Sequence, residues 1–125
     1  MKKIYIFLAV ISLISFSCSS DVDNRVRIKN MAAASVIFNF RGEAINVGSG
    51  RTYDISNVPQ GKYAYSTTYS VPSEAGSSTS SGEVSGNVTL KAGTKILVLY
   101  SSTLYDSVYT IYATVSSSDT LSTSN

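Results

Sequence analysis

Two kinds of residue in this chain have chemistry to offer: a single thiol, Cys18, and a row of tyrosines at alternating spacing, Tyr63, Tyr65 and Tyr69. Histidine is absent from the whole sequence, which removes Ser-His and Cys-His nucleophile pairs and His-ligated metals together. Carboxylates at Glu43, Asp54, Glu74, Glu83 and Asp106 leave a paired-acid hydrolase formally open, but none of them stands in a motif. A calcium site needs clustered carboxylates at alternating positions, and the closest pair, Asp21 and Asp23, falls in a polar linker. No glycine-rich turn opens a helix, so nothing cradles a phosphate. The expectation is no catalytic residue, no metal and no cofactor. The thiol and the tyrosine row remain to be placed.

The thiol is placed by what precedes it. Met1, Lys2 and Lys3 come first, an apolar run follows from Ile4 to Ile14, and the small-residue cluster Ser15, Phe16, Ser17 leads to Cys18. Charged, apolar and processing regions in this order are those of a secretory signal. The apolar run is shorter than the roughly 20 residues that a membrane-spanning helix needs. With one cysteine, no intramolecular disulfide can form, so the exported domain must be held by its core. Without Lys2 and Lys3 the rest of the chain carries eight basic and eight acidic residues. That balance gives no electrostatic case for nucleic acid as a partner.

Ser17-Cys18 behind an export signal resembles the lipobox of bacterial lipoproteins, although Ser15 stands where leucine is commonest and Phe16 is bulky. The resemblance implies a signal peptide over 1–17, acylation of Cys18 as the first mature residue, and attachment to a membrane through lipid. Ser19, Ser20, Asp21, Val22, Asp23 and Asn24 resemble the short Ser/Asp-rich export signal of Bacteroidota surface lipoproteins. This segment, 18–24, reads as a solvated tether. The location implied is the outer membrane, facing the cell surface, with a periplasmic anchor as the alternative.

Beyond the tether the pattern is that of strands. Arg25-Val26-Arg27-Ile28-Lys29 alternates apolar and basic residues, as on a strand with one buried face; three cations on the other face could meet phosphate or lipid headgroups, but read more simply as the charged guard of an outer edge strand. Val36, Phe38 and Phe40 share one strand face and are the expected centre of the core. Arg41-Gly42 and Gly48-Ser49-Gly50 are turns that bound two short strands, 44–47 and 51–56. Val58-Pro59-Gln60-Gly61 reads as a reversal, because proline presets φ at the second position of a tight turn and glycine suits the fourth.

Tyr63, Tyr65, Thr67, Tyr69 and Val71 then line one face of the longest β run, with Ala64, Ser66, Thr68 and Ser70 on the other. Such a tyrosine face either stacks ligands such as sugars or packs against its neighbours. Residues 72–82 lack large apolar side chains and read as a flexible loop. A strand over 83–90, a hairpin connection Lys91-Ala92-Gly93-Thr94, and a strand over 95–100 that is apolar on both faces follow; the last belongs in the middle of a sheet. Residues 101–106 read as a turn region, 107–115 as the last strand and 116–125 as a polar, disordered tail.

Short strands and regular turn signals predict an all-β chain: a single antiparallel β-sandwich of about seven strands over 25–115. Pro59-Gln60-Gly61-Lys62-Tyr63 between two strands, and Val88-Thr89-Leu90-Lys91-Ala92-Gly93-Thr94 after them, resemble the corresponding hairpins of small immunoglobulin-like or transthyretin-like domains of bacterial cell envelopes. That resemblance implies a fold and no activity. Asp106-Ser107-Val108 and Asp119-Thr120-Leu121 resemble the O-glycosylation motif of Bacteroidota envelope proteins, with Ser107 and Thr120 as acceptors. The function expected is a noncatalytic, lipid-anchored envelope protein with a structural, adhesion or complex-assembly role and another envelope protein or a glycan as partner. The alternative is an accessory glycan- or peptide-binding module that uses the tyrosine face.

Overall fold

The computed structural model describes residues 24–118, so Cys18, Thr120 and the signal, most of the tether and most of the tail lie outside the described residues. All nine elements are strands: β1 (Arg25–Asn30), β2 (Val36–Phe40), β3 (Glu43–Val47), β4 (Thr52–Ser56), β5 (Gly61–Tyr69), β6 (Ser77–Gly82), β7 (Ser85–Leu90), β8 (Lys95–Tyr105) and β9 (Val108–Ser117). They form two sheets, one in the order β4-β1-β8-β9-β6 and the other β3-β2-β5-β7. The all-β class is as expected, but two of the pairings, β1 with β8 and β6 with β9, are parallel, where an antiparallel fold was predicted.

Alternation decides which face turns inward. Val26 and Ile28 of β1, Ile96, Val98 and Tyr100 of β8, and Tyr109, Ile111 and Ala113 of β9 are buried. From the other sheet Val36, Phe38 and Phe40 join the same cluster with Ile45, Val47, Tyr65, Val88 and Leu90. Fully burying one large apolar side chain contributes roughly 1.5–3 kcal/mol. The expected Phe38–Phe40 centre is present, with ring centroids 5.6 Å apart. Polar and ring contacts join the sheets directly: the Tyr100 hydroxyl shares a hydrogen bond with Thr67 of β5, the Asn30 side-chain amide donates to the Val47 carbonyl of β3 at 2.9 Å, and the Tyr69 ring lies 6.4 Å from that of Tyr109. Burial pushes the Tyr100 hydroxyl up to about 12, a rise that the Thr67 hydrogen bond tempers. The Tyr109 hydroxyl is buried with no partner among the described residues.

Several expectations are corrected. Strand β1 is not an outer edge: it lies between β4 and β8, and its apolar face is covered by the core. The doubly apolar β8 is the central strand of its sheet, as predicted. Val58-Pro59-Gln60-Gly61 and Lys91-Ala92-Gly93-Thr94 do not close hairpins; each carries the chain from one sheet to the other, since the strands they join do not pair. Val58 is fully buried there, which makes that connection part of the core.

Residues 77–82, expected in a loop, form β6, held by backbone pairing to β9 although every one of its side chains is exposed. Residues 101–105, expected in a turn, extend β8, and the reversal contracts to Asp106 and Ser107, both at positive φ, 54° and 63°. This is the backbone of a two-residue hairpin turn that matches strand twist. Ser116 and Ser117, expected in the tail, belong to β9.

The topology gives the domain two ends. The chain enters beside the starts of β1, β8 and β5, where the β4–β5 and β7–β8 connections also lie. At the far end are the connection from β1 to β2, the segment from β5 to β6, and the β8–β9 hairpin.

Candidate functional site

Asn24 opens the domain, and it is fully buried. Its side-chain amide donates to the Val58 carbonyl at 2.9 Å, and its side-chain oxygen accepts from the Thr94 N–H at 2.8 Å. Its own carbonyl accepts from Val58 N–H at 3.2 Å, while the next residue, Arg25, donates its N–H to the Thr94 carbonyl at 3.0 Å. The entry to β1 is therefore clamped to the β4–β5 and β7–β8 connections. Asn24 was expected to be tether because asparagine is an ordinary linker residue; nothing in its local sequence distinguishes a buried clamp from a solvated spacer.

Beside this clamp the cations of β1 and β8 meet. Arg25 pairs in register with Lys95 and Arg27 with Leu97, and the burial of Val26, Ile28 and Ile96 puts Arg25, Arg27 and Lys95 on the outer face. They line a recess of about 320 Å³ together with Ser116 and Ser118. Arg27 makes a two-pronged ion pair with Asp54 of β4, at 2.7 and 3.2 Å. That hydrogen-bonded guanidinium holds the Asp54 carboxyl below the usual carboxylate range. The Arg25 Nε is buried and has no partner among the described residues.

The tyrosine row faces the interior. Tyr65 is buried, its ring stacked 5.5 Å from Phe38. Tyr63 is half-buried, tilted against Phe40 at 5.4 Å; its hydroxyl donates to the Pro59 carbonyl at 2.7 Å, and the Arg41 guanidinium lies 5.9 Å from its ring centre. Tyr69 is half-buried against Tyr109. All three rings pack against neighbours.

One of them, Tyr65, also reaches a larger cleft of about 600 Å³ between β7 and the near end of β8 and β9. Its hydroxyl donates to the Glu83 carbonyl at 2.9 Å, and burial, with the Glu83 charge second, raises its pKa. The Glu83 carboxylate in turn accepts from the Val115 N–H at 2.6 Å, satisfying a donor where β6 leaves β9. The floor is apolar, from Val88, Ile96 and Val115, and Asn87, Thr89 and Lys91 supply the rim. A floor and rim of this kind can hold a small polar molecule by stacking and hydrogen bonding. Glu83 was legible in the sequence only as an isolated acid.

Ser107 sits exposed at the tip of the β8–β9 hairpin, with its carbonyl accepting from the Gly76 N–H at 2.8 Å. Among the described residues no group of three acidic, cysteine or histidine side chains could hold a metal ion, and no helix is long and apolar enough to cross a membrane. No protein-family model matches the chain, and a search of curated proteins finds no match.

Proposed function

We propose that this chain is a noncatalytic, lipid-anchored protein of the bacterial cell envelope, whose two sheets form a β-sandwich carried on a short acylated tether at Cys18. The observation that carries the reading is the polarity of the domain. Its entry point is a buried clamp at Asn24, while four of its exposed large apolar side chains, Met31, Val71, Leu104 and Tyr105, lie at the opposite end. A module anchored at one end and apolar at the other suits complex assembly: the far end is held away from the membrane, and exposed apolar side chains mark contact surfaces. The alternative binding module relied on an open tyrosine face, and those rings pack inward, which favours the assembly role.

The outer membrane, with the domain facing the cell surface, is the location that goes with the Ser/Asp-rich tether. Replacing the thiol tests the anchor. In cells that make Cys18→Ala, fatty-acid labelling of the protein is abolished and it leaves the membrane fraction. A variant that stays membrane-bound and labelled would overturn the reading.

A further inference from the structure

We propose that the recess formed by Arg25, Arg27 and Lys95 binds the phosphate of lipid headgroups in the leaflet that holds the anchor, and so fixes the tilt of the domain on the membrane. The inference rests on the anchored reading above and adds a second point of attachment to it.

Four observations converge on this recess. First, its cations do not guard a sheet edge, because β1 lies inside its sheet with β4 on one side and β8 on the other. Second, Arg25 and Lys95 are register partners on the same outer face. Like charges on neighbouring strands repel, and an anion held between them would relieve that repulsion. Among the described residues Asp54 supplies one negative charge and is engaged with Arg27, leaving two positive charges to balance.

Third, the Arg25 Nε is a buried donor without a partner among the described residues, in a side chain that lines the recess. Guanidinium groups bind phosphate oxygens through paired N–H donors, and an ammonium beside them adds a compact charge. Fourth, the recess adjoins the tether. Cys18 and Asn24 are six residues apart, a span of at most about 20 Å when fully extended. A domain held that close to a bilayer, by a clamp next to Arg25, brings these cations within reach of the headgroup layer, where an anionic surface attracts them. Ile96, Leu97 and the Ser116–Ser118 segment complete the lining; Ser118 Oγ accepts from the Lys95 backbone N–H at 2.9 Å.

The test uses the acylated full-length mature protein, reconstituted into vesicles of phosphatidylcholine alone or of phosphatidylcholine with phosphatidylglycerol. The readout is the rate at which an amine-reactive reagent modifies Lys95, measured by peptide mass spectrometry with Lys29 as the internal reference. Lys95 is expected to be protected severalfold on the anionic vesicles and not on the neutral ones. The protection should be lost in Arg25→Gln and fade at high salt, which screens surface charge. Equal Lys95 rates on both vesicles, or protection that survives Arg25→Gln, would overturn the proposal while leaving the anchor in place. Equal protection by free inorganic phosphate on neutral vesicles would assign the recess to a soluble anion and overturn its membrane role. Protein from native membranes that carries no acyl chain would overturn the anchor, and the proposal with it.

Discussion

Two tyrosine hydroxyls in the core show how much a single atom's surroundings decide. The Tyr100 hydroxyl bonds Thr67 across the sheets, whereas that of Tyr109 is buried without a partner among the described residues. A net hydrogen bond contributes about 1 kcal/mol, while a buried polar group left unpaired costs about 1–3 kcal/mol. Tyr100→Phe strands the Thr67 hydroxyl and is expected to lower stability by about 1–2 kcal/mol. Tyr109→Phe keeps the ring and removes the orphan, so stability should hold or rise by up to about 1 kcal/mol. Urea midpoints of the two variants should therefore move apart, and equal losses would refute the assignment. Neither fate was legible in the sequence, which places both tyrosines on strands but not the atoms opposite them. Asn24 was hidden for the same reason: its partners, Val58 and Thr94, are brought to it only by the β4–β5 and β7–β8 connections.

At the scale of elements, the alternating runs were legible because burial on one face imposes a period of two. Val36, Phe38 and Phe40 are buried together, and β8, apolar on both faces, is central. What the pattern concealed was pairing. A charged outer face looks alike on an edge strand and on an interior strand whose outer side is wet, so β1 was misplaced. Strand β6 was invisible because Ser77–Gly82 buries no side chain; its pairing with β9 rests on the backbone, and Gly82 allows it to end there. Gly82 has φ of 84°, and a Cβ on it would stand 2.3 Å from the Ala113 carbonyl oxygen. Backbone on both sides leaves no flexible side chain to give way. Gly82→Ala is expected to cost more than about 2 kcal/mol and to raise hydrogen-exchange rates in β6 and at Val115, the N–H held by Glu83. An unchanged exchange pattern would show that the approach at Gly82 is not a constraint.

For the whole molecule, the even count of acidic and basic residues after Lys3 does not show where they lie. Arg25, Lys62, Lys91 and Lys95, with Glu83, lie around the end where the chain enters, while Glu74 and Asp106, with Lys29 and Arg51, lie toward the far end. Composition reported neutrality, and only the topology shows which charges share an end. The same axis separates the entry clamp from the exposed Leu104 and Tyr105. The proposed membrane anchor at Cys18 would give that axis its meaning, and the intact mass of the protein extracted from native membranes tests the anchor most directly. The account predicts a chain that begins at Cys18 and carries the added mass of acyl groups on that residue, with any further mass to be sought at Ser107 or Thr120. A chain that starts elsewhere, or an unmodified Cys18 thiol, would contradict it.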